Sequence, residues 1–434
     1  MPIRALRAAR PGSALAALAL ALVAVLAGSS TARAQMDLEI VIGVVAPDRS
    51  GGDALDAAVD EAVRQGHEMV ADEFGMNASM LGIDFRIPIE GAADADAAVA
   101  AASRLVDEEG AYAIVGGWGG LEVARALSDW SAERGIPFVN AGESADVLRN
   151  ELCRPTTFHL EPSDAMYLDA MAGWYVRSGF RRWFVLRSDD ARGEALLDRT
   201  RWTLRERHFG ARIVGDRAAS DIADAGEVAR RLNRTDADLL VLLMPAAQQL
   251  EWLGALEAEG VDVVVAGHPD QEAQSRAFMF ASRATAPGLG TNARILAFEA
   301  TLDAFGAREI NARYLARFGD AMEPPAWATY QAVKILYEMA FFGRSSDPAD
   351  VYAQLTAENQ VFDLWKGIGT SFRPWDHQMR QSMYLVEIRA EEQDAFRLGL
   401  LVGQLPAIYL PGTDPNERLD QIGDLADRSR CSFP

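Results

Sequence analysis

An alternation of short apolar runs with longer amphipathic stretches occupies the chain from Leu38 to Pro287. The short runs are rich in β-branched residues, whereas the longer ones carry apolar residues at helical spacings of three and four. This alternation is typical of parallel sheets covered by helices on both faces, a doubly wound α/β architecture. Because one hydrophobic core seldom serves more than about 300 residues, we expect two such units in a chain of 434 residues.

The predicted strands form two groups of four, and the chain passes from one group to the other near Cys153–Pro162. The first group comprises Glu39–Val45, Asp84–Ile89, Ala113–Val115 and Pro137–Asn140. The second group comprises Arg182–Leu186, Ala211–Val214, Leu239–Leu243 and Val261–Ala266. Apolar spacing predicts helices at Ala54–Phe74, Ala92–Glu109, Leu121–Arg134, Ala165–Ser178, Glu194–Phe209 and Ala225–Leu232.

The remaining residues must pack on these two units. Helical residues from Leu296 to Phe342, a helix near Val351–Glu358 and β-rich residues around Ser371–Ile388 follow the second unit. We therefore expect the chain to cross between two lobes more than once, as in a hinge that lets rigid lobes close. The expected division is lobe 1 from residues 35–158 plus about 288–345, lobe 2 from 159–287 plus about 346–400, and a tail at 401–434 that returns to lobe 1.

The first 34 residues have the features of a secretory signal peptide. Arg4, Arg7 and Arg10 precede an apolar run at 14–27 and the small-residue site at 32–34. The alternative is a transmembrane anchor, but a bilayer needs roughly 20 apolar residues and this run is shorter. No later segment has the composition of a membrane span, so we expect an exported protein of the periplasm.

Charge and cysteine content narrow the class of protein further. A formal net charge of −21 argues against nucleic acid and anionic membrane surfaces as partners. In an oxidising compartment the two cysteines, Cys153 and Cys431, predict one structural disulfide that ties the end of the chain to the first lobe. A metal site on the two thiolates is the alternative, although no His or Cys lies at ligand spacing beside either of them.

Ligands of open α/β sheets bind at the loops that follow the carboxyl ends of the strands. These loops are residues 47–53, 116–120, 141–146, 188–190 and 267–272, and they carry many carboxylates. The residues that we expect to line a cleft are Asp48, Trp118, Glu143, Ser144, Asp189 and Asp270, with Asp164 and Tyr167 from the first helix of the second lobe.

The loop carboxylates have two interpretations. Asp and Glu cap helix N-termini for hydrogen-bonding and dipole reasons alone. Alternatively, Asp48, Glu143, Asp189 and Asp270 form a site for a hard cation, such as a lanthanide or calcium, which takes six or more oxygen ligands. Trp118 either faces the ligand or packs against its own lobe.

Catalytic motifs are absent from the sequence. It contains no GxSxG, no GxxxxGK[ST] and no HExxH. The glycine-rich loop Gly116–Gly120 lacks the dinucleotide fingerprint and follows the third strand, not the first. His159 and His268 could be ligands, but each stands alone in its segment, where a histidine is more often a structural residue with satisfied hydrogen bonds. We expect a binding protein and not an enzyme.

Tandem α/β units after a signal peptide resemble the type I periplasmic binding proteins of the leucine/isoleucine/valine-binding group. More specific strings are Phe138–Gly142, Asp146–Arg149, Cys153-Arg154 and Phe372–Asp376. These strings are similar to the ABC-importer binding proteins encoded with pyrroloquinoline-quinone-dependent alcohol dehydrogenase systems. The resemblance implies a Venus-flytrap monomer, an ABC permease of the inner membrane as partner, and a role near periplasmic alcohol oxidation or lanthanide uptake.

One departure from the family concerns its usual ligand. Amino-acid binders of this fold present Ser/Thr hydroxyls and backbone amides to the ligand carboxylate from the loops after the third and fourth strands. Here Gly116–Gly120 has no hydroxyl, and Glu143 precedes Ser144 in the next loop. Three hypotheses therefore stay open: a hard cation, a small organic solute such as an amino acid, amide or alcohol-derived acid, and a sensory or accessory module without transport.

Overall fold

The computed structural model describes residues 38–407 and 412–433. The predicted signal peptide, residues 1–34, lies outside the described residues. The first sheet is parallel, with the strand order β2-β1-β4-β5-β6 and with β3 also paired to β1. Its strands are β1 (Glu39–Pro47), β2 (Asp84–Arg86), β3 (Ile89–Ala92), β4 (Ala113–Gly116), β5 (Phe138–Asn140) and β6 (Thr157–His159). Its helices are α1 (Ala54–Leu81), α2 (Ala95–Asp107) and α3 (Leu121–Arg134).

The second sheet is also parallel, in the order β10-β9-β7-β8. Its strands are β7 (Arg182–Arg187), β8 (Arg212–Ala218), β9 (Leu239–Leu243) and β10 (Val264–Gly267). The accompanying helices are α4 (Asp164–Arg177), α5 (Ala191–Glu206), α6 (Ala225–Thr235), α7 (Ala246–Ala258) and α8 (Arg276–Thr285). We call each of these two sheets, with the helices packed on it, the first unit and the second unit. The predicted α/β class with parallel sheets is confirmed.

A third, antiparallel sheet in the order β11-β12-β13 follows in the chain. It contains β11 (Arg294–Leu296), β12 (Met383–Ile388) and β13 (Gly399–Leu405). The later helices are α9 (Ala307–Phe318), α10 (Pro324–Gly343), α11 (Pro348–Leu355) and α12 (Pro415–Leu419). Within the described ranges, 38–407 and 412–433, no helix is both long and apolar enough to cross a bilayer.

Strand β12 contributes to both hydrophobic cores. Successive side chains of a strand point to opposite faces; Tyr384 and Val386 therefore pack into the core of the first unit, while Met383 and Leu385 pack into that of the second. The third sheet thus lies between the two units. The division of the chain into lobes stays a prediction, but this shared strand couples the two cores directly.

Helix α10 closes the core of the first unit. It packs along α1, and nearly its whole circumference is buried, as expected for a helix that is apolar all round. Trp327 stacks on Phe298 with ring centroids 5.5 Å apart. Helix α11 packs against α10 and adds Val351 and Leu355 to the same core.

The structure corrects several predicted element bounds. The helical segment Leu296–Phe342 is divided, because α9 ends at Gly319 with φ 72° and Pro324 starts a new helix. Within the β-rich segment Ser371–Ile388 only β12 is a strand, apart from isolated bridges of Phe372 with Met379 and of Gln378 with His159. Strands β6, β11 and β13 were not predicted; the first two have three residues each, and β13 carries a half-exposed pattern interrupted by glycine.

Cys153 and Cys431 form a disulfide in the structure, across a sequence separation of 278. The bond connects the segment before β6 with the chain that follows α12.

Candidate ligand-binding cleft

A cavity of about 440 Å³ lies between the carboxyl ends of the first and second sheets. Loops of the first unit contribute Arg49, Trp118, Glu143, Ser144 and Glu161 to its lining. The second unit contributes Arg192, His268, Asp270, Gln271 and Glu272, together with apolar groups of Leu196, Met244 and Pro245. Because all strands of a parallel sheet end at the same edge, these distant loops meet at one place.

The structure places four of the predicted cleft residues in this lining: Trp118, Glu143, Ser144 and Asp270. Trp118 packs its Cδ1 edge against Gly142, where an added Cβ would lie 2.6 Å from that atom. The indole therefore both packs on its own unit and faces the cavity. The close approach requires glycine at position 142.

Two further predicted residues lie directly behind the lining. Asp164 Oδ1 accepts hydrogen bonds from Ser144 Oγ and Arg192 Nη2, each at 2.9 Å. Tyr167 Oη donates to Glu161 Oε1 at 2.7 Å. Both side chains are buried and act through neighbours that do line the cavity.

Asp48 and Asp189 are absent from the lining. Asp189 Oδ1 accepts from the backbone N and the Oγ of Ser220, at 3.1 and 2.7 Å. Asp48 Oδ1 lies 3.4 Å from the backbone N of Ser50. Neither carboxylate caps the helix that follows its strand, because the N-cap of α1 is Asp53 and that of α5 is Asp190.

The structure does not bring the four carboxylates of the predicted cation site together. Asp270, which lines the cavity, uses both oxygens on backbone N–H groups, those of Ala246 at 2.9 Å and Ala273 at 2.7 Å. Among residues 38–407 and 412–433, no group of three or more His, Cys, Asp or Glu side chains is arranged to hold a metal ion. Of the four carboxylates only Glu143 and Asp270 line the cavity, which is too few for a hard cation.

Arg192 bridges the two units. From the first turn of α5 in the second unit, its Nη2 donates to Ser144 Oγ at 2.9 Å and lies 3.4 Å from Glu143 Oε1, both in the first unit. Although burial disfavours its charge, Asp164 and Glu143 raise the pKa of Arg192 above its ordinary value. Arg192 was not among the predicted cleft residues, because its partners Asp164 and Ser144 lie 28 and 48 positions away in the sequence.

Arg49 makes a second bridge. Its Nε donates to Asp60 at 3.0 Å and its Nη1 to Asp56 at 2.7 Å, both on α1. The same Nη1 bonds Glu272 of the second unit, across a sequence separation of 223. Both guanidinium groups of the cavity lining are therefore shared between carboxylates.

A buried arginine fixes the loops beneath the cavity. Arg149 Nη1 donates to the carbonyls of Glu143 and Ala145, at 2.9 and 3.1 Å, and its Nη2 to that of Glu161, at 2.8 Å. Its Nε donates to Gln378 Oε1 at 2.8 Å. One side chain thus holds two cavity-lining residues at a fixed separation.

The two candidate histidines differ in position. His268 lines the cavity, and its Nε2 lies 3.1 Å from Asp164 Oδ1. His159 is buried with Nδ1 3.0 Å from Asn140 Nδ2, and burial lowers its pKa well below the ordinary range. His159 is therefore a structural residue of the core.

Two α/β units that face each other across a cavity at their strand ends, joined by a shared sheet, define a two-lobed binding protein. The chain belongs to the periplasmic binding protein family, whose model matches residues 39–394. This is a family of solute-binding proteins that pair with membrane permeases, and it implies a periplasmic location. Among curated protein sequences, none is significantly similar to the chain.

Solved structures share the fold at low sequence identity. A branched-chain amino acid ABC transporter periplasmic ligand-binding protein from Burkholderia xenovorans is 17% identical with a TM-score of 0.74, over 91% of this chain and 99% of that one. The binding protein LivJ from Streptococcus pneumoniae, in complex with isoleucine, is 16% identical with a TM-score of 0.64, over 84% and 99%. An ABC transporter solute-binding protein from R. palustris, in complex with benzoate, is 15% identical with a TM-score of 0.63, over 86% and 98%.

Proposed function

We propose that this protein is the solute-capturing component of an ABC importer and that it closes its two units on a small organic solute. The observation that carries the proposal is the cavity itself, which is lined from both units and crossed by Arg192 and Arg49. A solute that contacts both walls stabilises the closed form over the open one, and its binding therefore shifts the population toward closure. The closed form is then the one presented to the permease.

The lining favours an organic solute over a bare hard cation. Trp118, Leu196, Met244 and Pro245 give the cavity apolar surface, a common feature of small-molecule pockets. A hard cation such as a lanthanide needs six or more oxygen ligands, and the carboxylates predicted for one lie apart. The solved relatives named above hold an amino acid and an aromatic acid, which supports organic solutes as a class.

The narrower resemblance to binding proteins of quinoprotein alcohol dehydrogenase systems adds a second candidate. It rests on the strings Phe138–Gly142 and Phe372–Asp376 and would make the solute, or a lanthanide, part of periplasmic alcohol oxidation. A sensory module without transport is the third. Binding of the closed protein to a permease in reconstituted vesicles separates the importer from the sensor.

The test is thermal unfolding of the metal-stripped protein without residues 1–34 against amines, amino acids, benzoate, short-chain acids, calcium and lanthanum(III). A ligand that binds the folded state raises Tm, and the increase grows as its concentration exceeds Kd. We expect an organic solute to raise Tm and the two cations to leave it unchanged. A shift with lanthanum(III) alone would overturn the proposal in favour of cation capture.

Gly142→Ala probes the location of the solute. The added methyl group would lie 2.6 Å from Trp118 Cδ1 and displace the indole, so we expect a smaller ligand-induced rise in Tm. Gly75→Ala, in α1, is the matched control, because its Cβ would meet nothing within 4 Å. Equal ligand responses in the two variants would place the solute elsewhere.

A further inference from the structure

Carboxyl groups outnumber cationic side chains around the cavity. Glu143, Glu161, Asp270 and Glu272 line it, and each of the two lining guanidinium groups already contacts at least two carboxylates. A ligand that carries only negative charge would meet this excess without a free guanidinium to pair with. A cationic ligand would gain from it.

Two buried polar groups of the lining lack hydrogen-bond partners among the described residues. Trp118 is 3% exposed, and its Nε1 has no acceptor. Gln271 is 8% exposed; its amide approaches the Glu161 carboxyl, but neither amide atom makes a hydrogen bond of normal geometry. Buried polar groups nearly always have hydrogen-bond partners. We therefore expect a bound ligand to supply an acceptor for the Trp118 indole N–H and a hydrogen-bond partner for the Gln271 amide.

Glu161 lines the same cavity as Trp118 and Gln271. It is 3% exposed, and its Oε1 accepts from Tyr167 Oη at 2.7 Å. The other charged groups that act on it are Arg149, Glu143 and the fully buried Lys366. Burial raises the pKa of Glu161 to about 8, so the carboxyl is mostly neutral at pH 7.

We propose that the cleft selects a small organic cation bearing a neutral hydrogen-bond acceptor, and that its cationic group binds the carboxylate of Glu161. This inference rests on the proposed function. The proton of the Glu161 carboxyl passes to solvent as the ligand enters, while the ligand keeps its own charge. The neutral acceptor of the ligand accepts a hydrogen bond from the Trp118 indole N–H, and the Gln271 amide makes a further hydrogen bond to the ligand.

Proton release is the measurable signature. A carboxyl with a pKa of about 8 is about nine-tenths protonated at pH 7, so nearly one proton leaves for each ligand bound. Below pH 8, affinity then increases about tenfold for each unit by which the pH is raised, and it levels off above pH 8. Asp270 also titrates nearby, since burial and Glu272 raise its pKa to about 7, and it must be separated from Glu161.

The experiment is calorimetric titration at pH 7 with choline, whose charge is fixed, and with ethanolamine, alongside isoleucine as zwitterion and benzoate as anion. Buffers of different ionisation enthalpy report the number of protons released. We expect the two cations to bind with release of nearly one proton. Glu161→Gln should abolish the release, whereas Glu151→Gln, a change outside the cavity, should preserve it.

Each other outcome is decisive. If isoleucine or benzoate binds and neither choline nor ethanolamine does, the organic-cation inference is overturned and the solute-binding proposal stands. Proton release that persists in Glu161→Gln assigns it to another group, such as Asp270. Failure of every organic solute in the thermal panel removes both proposals. Tyr167→Phe is the second variant; it removes the hydrogen bond to the carboxylate, so the pH at which affinity levels off should move upward.

Discussion

Replacing Arg149 with methionine tests whether one buried guanidinium sets the geometry of the cleft. The side chain is 2% exposed and donates four hydrogen bonds, three to backbone carbonyls and one to Gln378. Leaving a buried acceptor unpaired costs about 1–3 kcal/mol. Part of that loss is offset, because burial of the guanidinium is itself unfavourable and lowers the pKa of Arg149.

We therefore expect Arg149→Met to lower the free energy of unfolding by about 3–5 kcal/mol, the range found when a buried ionic network loses one partner. Urea unfolding followed by far-ultraviolet circular dichroism and by tryptophan fluorescence measures it, since the two probes show whether the units unfold together. Arg149→Lys keeps a positive charge but lacks the planar set of guanidinium donors. It should therefore lower the free energy of unfolding by less than Arg149→Met does.

Arg125→Met is the matched control for this experiment. Its side chain is 48% exposed on α3, with Asp129 and Glu122 no closer than 3.7 and 4.0 Å. Such surface pairs contribute about 0–1 kcal/mol. A loss below about 1 kcal/mol in Arg149→Met, similar to that of the control, would refute the assigned role of the buried guanidinium.

Three further changes have expected outcomes. Arg192→Gln should weaken closure of the two units, which raises the apparent Kd for the bound solute about tenfold per 1.4 kcal/mol lost. It should also enlarge the radius of gyration measured by small-angle scattering. Arg201→Gln, on the same helix, should change neither quantity. Replacing Cys153 and Cys431 by serine opens a covalent loop of 278 residues, and the chain-entropy model predicts a loss of about 5.6 kcal/mol in the free energy of unfolding by urea; an unchanged midpoint would contradict it. Folded Glu161 holds its proton up to a pKa of about 8, whereas the unfolded chain releases it near 4.5, so the free energy of unfolding should fall as pH rises between these values. Glu161→Gln should remove about 1.4 kcal/mol per pH unit of that slope; parallel pH profiles of the two proteins would argue against it.

The parallel α/β architecture was predictable because periodicity is a local signal. The helix Leu121–Arg134 was predicted with the bounds that the structure shows. Its apolar spacing identifies the buried face, and Gly135 marks the end of the helix. The loops after the strands were also located correctly, because strand ends define the binding edge of an open sheet. Trp118, Glu143, Ser144 and Asp270 lie in the cavity lining for that reason.

The charged contacts of the cleft could not be read from the sequence. Arg49 meets Glu272 across 223 positions, and no local pattern encodes such a pair. Glu161 was overlooked because it lies beyond a three-residue strand that sequence patterning did not detect. Asp189 was expected in the cleft, yet Ser220 supplies a nearer partner and keeps its carboxylate outside the lining.

The shared third sheet limits how the protein can be divided. Alternate residues of β12 fill both cores, and α10, far along the chain, completes the core that β1 begins. A fragment that ended near residue 160 would lack α10 and would leave the apolar faces of α1 and β1 uncovered. The two halves are therefore not interchangeable modules: neither is expected to be obtained as a separate soluble product, and chimaeras with related proteins would have to exchange the later segments together with the half that they complete.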